Sequence, residues 1–268
     1  MARAGMALGL ISLTAAAPPG WRLTGQAVQG GLVFGTAPAG TSTLTLDGAP
    51  VRLAGDGRFV VGFGRDAPAV ATLTAALGDG STLIRAVPVG ARHWQIESIP
   101  SLAQATRDDP AYDARRALEV ARIVAARAGV TDEAGWTQPF AWPARGRISG
   151  VYGSQRILGG VPRAPHYGLD IAGRAGTPVT APADGIVRLA DGPLLLEGNL
   201  VMLDHGHGVV SAFLHLSRID VAAGQRVRRG DTLGAIGQTG RATGPHLHWA
   251  LTWNAVRIDP QLLVPATR

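Results

Sequence analysis

The stretch Gly244-Pro245-His246-Leu247-His248-Trp249 sets two imidazoles two residues apart, directly after a Gly-Pro turn signal. On a strand, residues two apart point to the same face. His246 and His248 then face one site, while Leu247 and Trp249 pack behind it. Further out, His166-Tyr167-Gly168-Leu169-Asp170 puts an imidazole and a carboxylate four apart. Four is an even spacing, so this pair also shares a face if the segment is extended. Another histidine, His215, stands in Ala212-Phe213-Leu214-His215-Leu216-Ser217. Six of the 7 histidines of the chain fall between residues 166 and 248.

The surroundings of these motifs read as strands and turns. Asp184-Gly185-Ile186-Val187, Leu200-Val201-Met202-Leu203 and Arg229-Gly230-Asp231-Thr232-Leu233 carry strand signals, and no long helix is visible after Trp136. Upstream, from Trp21 to about Ile99, short apolar runs alternate with turns. Val51-Arg52-Leu53 leads through Gly55-Asp56-Gly57 to Phe59-Val60-Val61. Val70-Ala71-Thr72-Leu73 leads through Gly78-Asp79-Gly80 to Thr82-Leu83-Ile84. Such spacing predicts a small antiparallel, immunoglobulin-like sandwich over residues 18–99. Between the two β regions, Asp109-Pro110 offers an N-cap followed by proline at the first helical position, and Gly129 offers a stop. We expect one amphipathic helix over Ala111–Ala128 that packs through Leu118, Ala121, Val124, Ala125 and Ala128. The expected architecture is mainly β: the sandwich, a helical linker over 100–135, and an antiparallel β-rich domain over 136–268.

Composition narrows the chemistry. The 268 residues are 46% hydrophobic and 16% charged, enough apolar material for a packed core. Gly 37 and Pro 18 favour short strands and turns over a helical bundle. The net charge is +6 with every basic residue an arginine, which suits an anionic neighbour without specifying one. Cysteine is absent, which excludes disulfides, thiolate metal ligands, a nucleophilic thiol and a lipid-modified cysteine. At the N-terminus, Arg3, the apolar run Met6–Leu13 and Ala15-Ala16-Ala17 before Pro18-Pro19 have the layout of a secretory signal over residues 1–17. No later segment has the length and apolarity of a membrane span.

Imidazole and carboxylate together suit a divalent ion of borderline softness such as zinc, and three protein ligands with an open position form the catalytic pattern. Each motif alone is a weak signal. Their joint presence in one glycine-rich β unit is stronger. The region from Trp142 to Pro265 resembles the lysostaphin-type zinc metallopeptidases, the peptidoglycan endopeptidases. The resemblance is carried by Gly146-Arg147-Ile148-Ser149-Gly150-Val151-Tyr152-Gly153, His166-Tyr167-Gly168-Leu169-Asp170-Ile171-Ala172 and Gly176-Thr177-Pro178-Val179. It continues through Ala181-Pro182-Ala183-Asp184-Gly185, Asp204-His205-Gly206, Leu214-His215-Leu216-Ser217, Val227–Gly234 and Gly244-Pro245-His246-Leu247-His248.

The resemblance implies that His166, Asp170 and His248 hold one zinc ion per chain and that His215 and His246 are the catalytic pair. It implies an exported enzyme of the periplasm or cell envelope acting on peptidoglycan peptides. The N-terminal β module would then serve an envelope partner, with no role for nucleic acid. The alternative is a non-catalytic wall-binding protein or an activator of other wall hydrolases, since some relatives have lost their ligands; retention of all five residues favours the enzyme. His205 reads as structural, and His207 and His93 as exposed or satisfied by backbone. Tyr167 and Arg241 are candidate substrate contacts, and Asn199 reads rather as a turn or strand-edge residue. Trp136, Trp142, Trp249 and Trp253 read as core or groove wall. Residues 154–165 are expected to form a loop.

Overall fold

The computed structural model describes residues 20–101, 109–129 and 131–266. The expected signal segment lies outside the described residues. Eight strands precede the helix: β1 (Arg22–Gly25), β2 (Leu32–Thr36), β3 (Thr41–Leu46), β4 (Ala49–Val51), β5 (Arg58–Gly62), β6 (Val70–Leu77), β7 (Thr82–Pro88) and β8 (Ile96–Ile99). The first seven build two antiparallel sheets, β1-β2-β5 and β4-β3-β6-β7, as the alternating pattern predicts. Gly78-Asp79-Gly80 closes the β6–β7 hairpin. Gly55-Asp56-Gly57 does something different: it carries the chain from β4 in one sheet to β5 in the other.

Helix α1 (Pro110–Ala128) begins where the sequence places it, with the Asp109 carboxylate accepting a hydrogen bond from the Tyr112 N–H at 3.0 Å. Its buried face is not the expected one. Glu119, Ile123 and Ala126 point inward, whereas Leu118 and Val124 are exposed. The apolar stripe loses to a polar network on the neighbouring flank. Both Glu119 oxygens accept the Leu195 N–H at 3.1 Å, Arg115 donates to Glu119 at 3.0 Å, and Arg116 clasps Glu197 at 2.6 and 2.8 Å. A buried carboxylate with this many donors is tolerated, and it fixes the helix rotation.

After the helix come β9 (Arg147–Gly150), β10 (Gln155–Leu158), β11 (Val161–Pro162), β12 (Leu169–Ala172), β13 (Pro178–Thr180), β14 (Gly185–Leu194) and β15 (Gly198–Asp204). They are followed by β16 (Val209–Leu216), β17 (Arg218–Ile219), β18 (Arg226–Val227), β19 (Thr232–Ala235), β20 (His246–Trp253) and β21 (Val256–Ile258). Eight of these form one antiparallel sheet in the order β18-β14-β15-β16-β20-β12-β9, with β21 also pairing β20. Residues 154–165 are not a loop. β10 and β11 make a hairpin, and β8 adds to it in parallel, so a strand from the first half of the chain completes a sheet in the second.

The pleat of the large sheet separates two environments. Phe213 on β16 and Leu247, Trp249 and Leu251 on β20 face one way and are fully buried. They join a core that runs without interruption into Leu32, Phe59, Val61 and Leu73 of the N-terminal sheets. On the opposite face, Val210, Ala212 and Ala250 meet Ile123 and Ala126 of α1, together with Leu194, Leu200 and Met202. His246 and His248 share parity with Ala250, so they stand on this second, helix-bearing face.

Candidate metal centre

Asp170 on β12 sits directly opposite His248 on β20. This cross-strand pairing brings Asp170 Oδ1 to 2.8 Å from His248 Nδ1. His166 reaches the same point from the loop before β12, not from the strand itself. Its backbone N–H donates to the Ser154 carbonyl at 2.8 Å, and its ring Nδ1–H donates to the Val151 carbonyl at 3.0 Å. The ring is thereby turned so that Nε2 lies 3.1 Å from Asp170 Oδ1 and 3.0 Å from His248 Nδ1. Three lone-pair atoms meet at one point, and one proton cannot satisfy all three contacts. A cation can: ligands at about 2.0–2.1 Å in a tetrahedron stand about 3.3 Å apart, close to the spacing here. The donor set of two imidazoles and one carboxylate, with His166 oriented by a backbone carbonyl, fits zinc.

Two glycines make room for the cluster. A Cβ on Gly168 would lie 2.5 Å from His248 Nε2, and one on Gly150 would lie 2.2 Å from Asp170 Oδ2. Burial alone would favour the neutral form of Asp170, but hydrogen bonds from His166 and His248 hold its carboxyl far below the usual carboxylate range. At His166 burial opposes the charged ring, yet Asp170 raises its value above that of an ordinary imidazole. At His248 burial prevails and lowers it.

His246 stands two residues before His248 with its Nε2 3.9 Å from Asp170 Oδ1. Its Nδ1 lies 2.8 Å from the Gly244 carbonyl, which assigns the proton to Nδ1 and leaves Nε2 free. His215 arrives by a device that alternation conceals. On a regular β16, Leu214 and not His215 would share the His248 face, because Leu214 pairs with His248. The register against β15 slips at this point, and His215 adopts a left-handed φ of 64°. The bulge swings its ring to 4.8 Å from that of His246, while Phe213 and Leu216 both stay in the core. A non-glycine residue held at positive φ costs about 1–3 kcal/mol. Here it is retained by the His215 N–H donating to the Glu197 carbonyl at 2.8 Å and by ring Nδ1–H donating to the Thr239 carbonyl at 2.9 Å. Burial pushes the His215 imidazole down to about 4, so the ring is neutral at pH 7.

Thr239 is a site residue that the sequence reading missed. Its hydroxyl accepts the Asn199 N–H and donates to the Leu216 carbonyl, both at 2.9 Å, and its own carbonyl orients His215. A contact made through a main-chain carbonyl leaves no side-chain signature, so only the flanking glycines of Gly237-Gln238-Thr239-Gly240 hinted at it. Asn199 lies near the start of β15, an interior strand of the large sheet, with Nδ2 donating to the Leu216 carbonyl at 2.9 Å. Tyr167 lies beside the site under the Arg257 guanidinium, and Arg241 is exposed.

The remaining histidines stay apart from the cluster. His205 is fully buried, its Nδ1 at 2.8 Å from the Asp184 carbonyl and its Nε2 at 2.8 Å from the Ser211 hydroxyl. Of the two expectations for His207, exposed or satisfied by backbone, the first does not hold: its ring is buried and stacks on Trp136 at 4.4 Å, while its backbone N–H donates to the Thr131 carbonyl at 3.3 Å. His93 is exposed.

The model of peptidase family M23 matches residues 164–260, the segment that carries all five candidate site residues. A Pseudomonas aeruginosa crystal structure described as a peptidase M23 superposes with a TM-score of 0.69 at 31% identity, covering 90% of this chain and 96% of that one. The chain belongs to peptidase family M23. It is also 43% identical over 106 residues to the peptidoglycan DD-endopeptidase ShyA of Vibrio cholerae, covering 39% of this chain and 24% of ShyA. With the DD-carboxypeptidase/endopeptidase Mpg of Neisseria meningitidis it shares 43% identity over 95 residues, 35% of this chain and 22% of Mpg. The chain thus spans about a quarter or less of the length of these curated relatives. Among the described residues of this M23 chain, no helix is long and apolar enough to cross a membrane.

Proposed function

We propose that this M23 chain is a zinc endopeptidase of the cell envelope that hydrolyses peptide bonds in peptidoglycan. His166, Asp170 and His248 are its metal ligands, and His215 and His246 its catalytic pair. The observation that carries this reading is the meeting of His166 Nε2, Asp170 Oδ1 and His248 Nδ1 within 2.8–3.1 Å, flanked by two imidazoles that are not needed to complete the set. The peptidoglycan substrate is inferred from the activities named for ShyA and Mpg.

When bound, the ion supplies Lewis acidity, polarising a carbonyl and lowering the pKa of water. The protein supplies the rest. Asp170 and His248, paired across strands, and His166, pinned through Val151, keep the ligand atoms in place before any ion arrives. His215 and His246 each have Nδ1 committed to a backbone carbonyl, so in the neutral ring Nε2 is the nitrogen that carries the free lone pair. Such a nitrogen accepts a proton from attacking water and returns it to the leaving amine. Among the described residues the N-terminal β module carries no comparable cluster, and it serves to orient the chain on an envelope partner.

The test is digestion of isolated sacculi by the purified chain. The expected result is about one zinc per chain and release of peptide fragments that stops with a chelator and resumes on adding zinc. Fragments released equally in the presence of chelator would overturn the reading.

A further inference from the structure

Among the described residues, two arginines over the site's face of the sheet, Arg127 and Arg257, make no ion pair. Arg257 on β21 pairs with Thr252 on β20, and Thr252 shares parity with His246 and His248, so all four rise from one face. From His248 to Thr252 the strand advances about 13 Å, the reach of about four residues of extended peptide. The Arg257 guanidinium leans back along this span to 5.8 Å from the ring centre of Tyr167, the neighbour of His166. Arg127, at the end of α1, follows Ala126, which packs on this same face, and lies near enough for the Arg257 charge to act on it; its Nε is buried and has no hydrogen-bond partner. Among the described residues neither side chain makes a hydrogen bond or an ion pair. The carboxylate whose charge acts on both is Glu197, and Arg116 occupies both of its oxygens. Burial and the proximity of Arg257 push the Arg127 guanidinium down to about 10, and burial lowers Arg257 as well. Half-buried like charges with no partner destabilise a fold unless an anion joins them.

We propose that Arg127 and Arg257 together hold a carboxylate of the peptide substrate, a few residues from the bond that is cut. The inference rests on the reading of the chain as a peptidoglycan peptidase, and it adds a charge requirement to it. Two guanidiniums converging from a helix end and a strand match a carboxylate better than a neutral amide, because both hydrogen bonds are charge-assisted. The linker helix thereby becomes part of substrate recognition and not only a spacer.

The experiment uses the full chain and cross-linked muropeptides purified from sacculi, either untreated or with their carboxylates coupled to methylamine. Calorimetry measures binding with and without zinc, and hydrolysis is followed on the zinc-loaded protein. Untreated peptides are expected to bind about 10- to 100-fold more tightly than coupled ones. R127Q and R257Q should each remove most of that difference by raising KM while leaving kcat within about twofold, and R257K should restore part of it. Melting temperatures of the variants report whether they fold. Peptides that bind equally whether coupled or not, or variants that lose affinity for both forms alike, overturn the proposal even if hydrolysis is intact. Charge-selective binding without hydrolysis would leave this inference standing and remove the endopeptidase reading instead.

Discussion

The two faces of the large sheet use histidine in opposite ways. On the core face, His205 packs its ring against Phe140 at 4.9 Å and gives each nitrogen one neutral partner. Nothing there is left to bind. On the other face, four imidazoles crowd one carboxylate, and their partners are each other. The backbone carbonyls of Val151, Gly244 and Thr239 hold the outer nitrogens of three of them, so the inner nitrogens converge with lone pairs unshared. A histidine is therefore defined less by its burial than by whether its second nitrogen has somewhere to go.

Removing a ligand should break this contrast most severely. His166→Ala, Asp170→Ala or His248→Ala is expected to abolish zinc content and to lower sacculus hydrolysis by more than about a thousandfold. His205→Ala should leave one zinc per chain. Metal analysis of the four proteins decides it, and normal zinc in Asp170→Ala would break the assignment. Next in size, His215→Ala should cost about 10²- to 10⁴-fold in kcat while zinc stays bound, because a proton carrier is lost and no ligand is. An equal loss of zinc would move His215 from the catalytic pair into the ligand set.

The smallest expected effect sharpens the other side of the comparison. Burial pushes the folded-state value of His205 down to about 4, below the ordinary imidazole value near 6.5. Between those values the unfolded chain binds more protons than the folded one. Stability from this residue is thus complete above about pH 6.5, falls by about 3 kcal/mol as the pH drops to about 4, and is level below that. His205→Asn, which keeps a donor toward Asp184 but does not titrate, should flatten this part of the profile in urea unfolding of zinc-free protein. An unchanged slope would show that His205 is not neutral in the fold.

Much of the site was legible because strand parity is local. His-x-His on β20 and Asp170 on β12 follow the period of two, and their cross-strand pairing needs only adjacency. The cap and span of α1 were equally legible, since Asp109, Pro110 and Gly129 act through their own backbone. What escaped was set by long-range contacts. The rotation of α1 depends on Glu119 meeting Leu195, some 76 residues away. The bulge at His215 depends on Glu197 and Thr239, both acting through main-chain carbonyls that any residue would offer. The hairpin over Gln155–Pro162 depends on β8, a partner from the other half of the chain. Periodicity reports what a segment prefers, and these features were decided by what the segment meets.

The unbroken core across both halves has a consequence for anyone wishing to transplant the M23 part. Gly62 of the N-terminal sheets lies so near Ile258 and Trp253 that an added Cβ would sit 2.7 Å from Ile258, and the Asp259 carboxylate is clasped by Arg92 at 2.8 Å. The core face of the large sheet is therefore covered in part by the N-terminal sheets, beside Val179, Leu233 and Ile236 of its own half. Cut free at residue 136, it would expose around Trp253 and Ile258 an oily patch that the described residues of the N-terminal sheets now cover, so a graft of this M23 domain onto another scaffold has to bring that cover along as its hull.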